Sequence, residues 1–197
     1  MSGPIQAGPK AIVWAHENRF SSKAATRVVP IKGLDEKSGE MCGEYVCVSE
    51  KNILGKKLSC PAFGSFSMPG DPCFAQKFVY YTLDRFVRLL AEKLVCDIDT
   101  EKKGDGCEPA LSLVQVREAL KNRKMPLPVT VNSPQLVNAY YSPRNTELVF
   151  GDGEGKFLLA TDGDIVVHEA GHWIIDTINP TLGSSWMGLG LAIHEGC

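Results

Sequence analysis

Residues 164–176 read DIVVHEAGHWIID. Read as a helix, this run places His168 and His172 on one face, about one turn apart. One metal ion can then take a ring nitrogen from each. Glu169 is rotated roughly 100° from His168, so it flanks such an ion instead of binding it. A carboxylate in that place can take a proton from water polarised by the ion, which is the physical content of an H-E-x-x-H pattern. Ala170 and Gly171 are small and leave room for substrate and water. The apolar runs IVV (165–167) and WII (173–175) bracket the motif, so a buried helix is expected. Burying two imidazoles and a carboxylate without a partner is costly, and a zinc ion supplies that partner.

Catalytic zinc usually has three protein ligands and one open position. The segment LAIHEGC (191–197) offers His194 and Glu195 on what reads as a second helix. Adjacent helical residues point about 100° apart, so only one of them can face the metal. The residues alone leave that choice open. A third histidine six positions after His172 would define a different ligand set, but that position is Ile178.

The elements that must position this motif are partly legible. Strands are expected at 12–14, 26–31, 44–48 and 56–60, with turns at 33–40 and 67–72. Asp71-Pro72 opens a helix over about 72–95, whose stripe includes Phe74, Phe78, Tyr81 and Phe86 and reads as core. A second helix is expected over about 109–122. Between them, the acidic run 97–108 has the count of a calcium loop, but Lys102 stands where the sharp turn needs glycine. It reads as a solvated loop, and calcium is only a secondary candidate. Three further strands are expected in 126–132, 136–143 and 146–155, the last ending in a turn at GDGEG (151–155). The motif helix spans 162–178 and stops at Asn179-Pro180. TLGSSW then reads as a loop, with a last helix starting near Ser185.

Composition sets the outer limits. A chain of 197 residues holds one large domain or two small ones, and 44% hydrophobic with 22% charged residues is a globular balance. A net charge of -2 leaves no basic footprint for nucleic acid or an anionic membrane. No apolar run approaches the roughly 18–20 residues of a membrane span. MSGPIQAGPK has neither the charged region nor the apolar core of a leader peptide. Of seven cysteines, six form close pairs, suggesting bridges 42–47, 60–73 and 96–107. Free cytosolic thiols are the alternative. There is no C-x-x-C, and Cys197 is left over. A disulfide framework implies secretion or another oxidising compartment.

NAYYSPRNTELVFGDGEG, then DIVVHEAGHWIID, then GLAIHEG resemble, in that order, the thermolysin-like zinc peptidases, a branch of the gluzincins. The likeness covers about residues 136–197. CFAQKFVYYTLDRFVRLLAEKL (73–94) resembles the family's long N-domain helix, while the first 70 residues share only strand richness. The resemblance implies an α+β, zincin-type fold: a strand-rich N-terminal sheet region, long helices and a central H-E-x-x-H helix. It implies an N-terminal peptidase domain over 1–180. Residues 181–197 would begin a helical domain whose remainder, half of the catalytic domain, lies outside this chain.

The same resemblance implies that His168, His172 and Glu195 bind Zn2+, with Glu169 as general base. It places Asn138 and Ala139 on an edge strand that pairs with the backbone of a peptide or protein substrate. Asp164 falls where some relatives carry a calcium ligand, although a helix N-terminal acid is the simpler reading. The chain departs from the family in its longer His172–Glu195 spacing and in Trp186, which stands where a transition-state tyrosine is expected. An oxyanion-stabilising histidine and a supporting aspartate are expected beyond Cys197. The implied activity is metalloendopeptidase hydrolysis, and the chain reads as a weakly active or inactive fragment of a longer enzyme. The alternatives are a non-catalytic zinc-binding module and an aminopeptidase, although GDGEG is not the glycine-rich exopeptidase motif.

Overall fold

The computed structural model describes residues 10–14, 26–35, 40–51, 57–58, 60, 67, 69, 71–93, 118, 120, 123, 125–155 and 159–183. It is α+β. Strands β1 (Lys10–Trp14) and β2 (Thr26–Pro30) form an antiparallel ribbon with Lys10 opposite Pro30. The main sheet holds six strands: β3 (Met41–Cys42), β4 (Val46–Lys51), β5 (Lys57–Leu58), β6 (Leu127–Ser133), β7 (Ala139–Ser142) and β8 (Glu147–Gly151). Its order is β3-β4-β6-β8-β7, with β5 also paired to β4. β4, β6 and β8 run parallel, and β7 returns antiparallel along β8 as the edge strand.

The central strands show why they lie inside. Val129, Thr130 and Val131 of β6 and Leu148, Val149 and Phe150 of β8 are consecutive buried residues. That is the pattern of strands covered on both faces, not of a half-exposed sheet. β7 alternates instead: Tyr140 faces solvent and Tyr141 the interior. Ala139 lies opposite Phe150 and Tyr141 opposite Leu148.

Helix α1 (Pro72–Arg88) begins where the Asp71 side chain accepts the Cys73 N–H at 2.8 Å, with proline in the first turn. Arg85 and Arg88 in its last turn suit the negative end of the helix. Of the expected stripe, Phe74 and Phe78 are core, while Tyr81 and Phe86 are only half-buried against it; the rest of the buried face is Val79, Leu83 and Val87, because the helix is rotated relative to the aromatic spacing. The helix ends earlier than the periodicity suggested and passes into a π-helical turn, Leu89–Lys93, where Leu89 is 42% exposed. Once the apolar stripe leaves the core, little favours continued α-helical winding.

Two of the expected bridges are present. Cys42–Cys47 links directly opposed residues of β3 and β4, and Cys60–Cys73 ties a preceding segment to the first turn of α1. The Cys60 N–H also donates to buried Gln76 Oε1 at 3.0 Å. Cys96–Cys107, the acidic loop 97–108 and most of the helix expected at 109–122 lie outside the described residues.

Gly43 sits where the turn before β4 meets α1. A Cβ there would collide with the Tyr80 hydroxyl and with the Gly33 carbonyl. Gly43→Ala is expected to cost about 1–3 kcal/mol, as overpacking does, read as a lowered denaturant midpoint at unchanged slope.

Candidate metal and catalytic centre

Helix α2 (Gly163–Ile178) carries the motif. Its N-cap is Asp162, whose carboxylate accepts from the Asp164 N–H at 3.0 Å and the Ile165 N–H at 3.5 Å. Asp164 adds an acid to the first turn, as the helix dipole favours. Asn179 ends α2, and its side chain then caps a new short helix, α3 (Pro180–Gly183), accepting from the Thr181 N–H at 3.2 Å. The expectation of a loop over TLGSSW is therefore corrected for residues 181–183; residues 184–186 lie outside the described residues. Asn179 can stop one helix and start another because its oxygen replaces a lost backbone partner, and Pro180 suits a first helical position.

Val166, Ala170, Trp173 and Thr177 form the buried stripe of α2 that packs into the core. Ala170 is 0% exposed, so its small size serves packing and does not make room for substrate. Gly171 is the open position of the pair: a Cβ there would meet nothing within 4 Å. Gly171→Ala should stabilise the chain by up to about 1 kcal/mol through helix propensity, detected as a raised melting temperature.

His168 and His172 share the next face and are half-buried, while Glu169 is 7% exposed. The two Nε2 atoms lie 3.0 Å apart. The ligand atoms of His168, Glu169 and His172 all fall within 4.8 Å of one another. An ion about 2.0–2.1 Å from each imidazole nitrogen suits this pair, and imidazole nitrogen suits zinc, with Glu169 close enough to reach a water on the ion. Adjacent to the pair is a cleft of ≈ 430 Å³. His168, Glu169, Asp164 and Ile165 of α2 form one wall, with Leu159, and Val137, Asn138 and Ala139 form the other. Asn138 and Ala139, expected at an edge strand, thus stand at the start of edge strand β7 and share this cleft with Glu169. His194, Glu195, Trp186 and Cys197 lie outside the described residues.

The GDGEG turn holds the second wall in place. The Gly151 N–H donates to Asn138 O at 2.9 Å and the Gly153 N–H to Leu136 O at 3.0 Å. Glu154 adopts a left-handed φ of 54°, and its N–H donates to Asp152 Oδ1 at 3.0 Å. These contacts engage Asp152 in turn formation. A Cβ on Gly151 would strike the carbonyls of Leu136 and Asn138, so the glycine lets β8 approach the cleft wall this closely.

A group that sequence reasoning missed lies beyond His172. Asp176, one further turn along, is buried and accepts from the Tyr141 hydroxyl at 2.8 Å and from Arg123 Nη2 at 3.0 Å. Arg123 also donates to the Asp176 backbone carbonyl at 2.9 Å. An acid at i+4 from a motif histidine was a readable signal, but its partners are 35 and 53 positions away.

Burial pushes the Tyr141 hydroxyl far above its ordinary pKa, and the hydrogen bond and charge of Asp176 push it further. Burial likewise raises Tyr80, with Asp84 adding to it. A raised folded pKa gives stability that is complete below the unfolded value, about pH 10, and is lost as pH rises beyond it. Thermal melting followed through the alkaline range should therefore show a fall above about pH 10 that Tyr141→Phe makes shallower.

Two imidazole nitrogens and a buried carboxylate on one helix, beside a cleft lined by His168 and Glu169, are a donor set that suits a metal-dependent hydrolase. Residues 112–176 match the family model described as thermolysin metallopeptidase, catalytic domain. That segment, which contains β6 to β8 and the motif helix as far as Asp176, is similar to the thermolysin-like metallopeptidases, in line with the resemblance. The family is one of zinc metallopeptidases that act on peptides or proteins. No curated protein and no solved structure matches the chain. The two disulfides fit an oxidising compartment, and no described helix is long and apolar enough to cross a membrane.

Proposed function

We propose that the protein is a secreted zinc-dependent endopeptidase of zincin fold. The observation that carries this reading is the 3.0 Å approach of the His168 and His172 Nε2 atoms beside the nearly buried Glu169. In this reading His168 and His172 hold the ion, and Glu195 supplies the third ligand. Bound zinc supplies Lewis acidity, which polarises a scissile carbonyl and acidifies water.

The chain's own residues do the rest. Glu169 accepts the proton of the attacking water on its carboxylate and later gives it to the leaving amine nitrogen. Its low exposure keeps bulk water from competing for that proton. Asn138, whose carbonyl accepts from the Gly151 N–H, anchors the start of β7 to β8, and Ala139 opens the edge of β7 that pairs with no other described strand, along which an extended peptide adds as a further strand. That pairing sets the scissile bond over Glu169. Calcium has no assigned role here: the acidic run 97–108 is outside the described residues, and Asp164 serves the helix terminus.

The first test is elemental zinc per chain for the wild type, His172→Ala and Glu195→Ala. The expected result is one zinc in the wild type, lost in His172→Ala and lost or weakened in Glu195→Ala. A folded wild type that takes up no zinc would sink the proposal. Cleavage of an end-blocked peptide at an internal bond separates an endopeptidase from an aminopeptidase, which needs a free N-terminus.

A further inference from the structure

Among the described residues, edge strand β7 has a hydrogen-bonded neighbour on one side only, β8, through four register pairs. An edge strand is held by backbone hydrogen bonds along one side alone, so its side-chain contacts carry more of its placement. Its first residues, Asn138 and Ala139, form a wall of the cleft that holds His168 and Glu169. Tyr141, two residues on, turns inward on the same face of the strand as Ala139. Its hydroxyl reaches across to α2 and donates to Asp176 Oδ2 at 2.8 Å, in a buried contact.

Asp176 is not a loose acceptor. Arg123 grips both its carboxylate, at 3.0 Å, and its backbone carbonyl, at 2.9 Å. His168, His172 and Asp176 follow one another at intervals of four along α2, so they share one stripe of the helix. The bond from Tyr141 therefore joins the cleft-lining strand to the stripe that carries both histidines.

We infer that Tyr141 and Asp176 are positioning residues that set the spacing between the substrate-pairing edge of β7 and the metal-binding face of α2. The inference rests on the peptidase reading above. A peptide laid along β7 reaches Glu169 in register only while strand and helix keep that spacing. A shift of the order of 1 Å at a reacting centre costs about a hundredfold in rate. Neither residue touches substrate; each acts through the element it holds.

Tyr141→Phe is the informative variant. It removes one hydroxyl and leaves the Asp176–Arg123 pair intact, so the chain should fold. Zinc per chain, hydrogen exchange of the β7 amides, and kcat and KM on an end-blocked peptide would be measured well below the melting temperature. The expected result is unchanged zinc, faster exchange within residues 139–142, and kcat/KM lower by about tenfold. Asp176→Asn keeps an acceptor for Tyr141 and should retain slow β7 exchange. Unchanged exchange and kcat/KM in Tyr141→Phe, with an active wild type, would overturn the inference and leave the peptidase reading standing. Zinc loss in Tyr141→Phe would also overturn it, by making the hydroxyl a support of the metal site. A wild type without zinc or cleavage would overturn the peptidase reading, and the positioning role would fall with it.

Discussion

Glu169→Gln is expected to abolish peptide hydrolysis while leaving zinc uptake intact. The amide keeps the size and shape of the side chain but cannot accept a proton. His168 and His172 still present their Nε2 atoms 3.0 Å apart, so the metal-binding pair is untouched. A positioned general base is worth up to about 10⁴-fold, and kcat should fall by that order. Zinc retention matters as much as the rate. A variant that loses both would point to a folding or ligand defect. One that keeps both would make Glu169 a bystander and favour a zinc-binding module without hydrolytic chemistry. The near burial of Glu169 makes the swap easier to interpret, because little water stands by to substitute for the missing base.

Asp176→Ala is expected to destabilise the chain as much as loss of a large core side chain. It removes the carboxylate partner of Arg123, which keeps only its bond to the backbone carbonyl of residue 176, and leaves the Tyr141 hydroxyl buried without its acceptor. Breaking a buried charge pair from one side costs about 3–5 kcal/mol. Against the roughly 5–15 kcal/mol that holds a whole domain together, this is enough to unfold a marginal protein. Denaturant melts should show it, and Arg123→Ala should be milder because the half-buried arginine leaves an acid that Tyr141 still satisfies. Equal melts for wild type and Asp176→Ala would mean that the ion pair contributes nothing net. Loss of the Trp173 side chain, 1% exposed in the core stripe of α2, sets the comparison at about 3–5 kcal/mol for Trp→Ala.

What was legible from residues alone was whatever is local in the chain. The period of Phe74, Phe78 and their neighbours marked α1 as core, because an α-helix repeats every 3.6 residues wherever it packs. His168 and His172 could be placed on one face for the same reason. Close cysteine spacing sufficed for the two described bridges, since short loops bring their ends together readily. Short-range chemistry also misled. Asn179-Pro180 reads as a stop, but the side chain that ends α2 also caps α3. Ala170 reads as a small residue next to a substrate, but the rotation of α2 against the core buries it.

Tertiary structure alone decided what depends on distant partners. Strand order is the clearest case: β7 and β8 are neighbours in sequence, but β7 becomes the open edge only because β8 has already paired with β6. The cleft joins residues 137–139 to residues 164–169, and no periodicity links those stretches. Arg123, Tyr141 and Asp176 look like three unrelated polar residues until folding brings a helix, an edge strand and an earlier segment together. Helical pitch acts over a few residues and can be read from spacing. Pairing, burial and charge compensation act across the whole chain, and their partners become known only once the chain has packed.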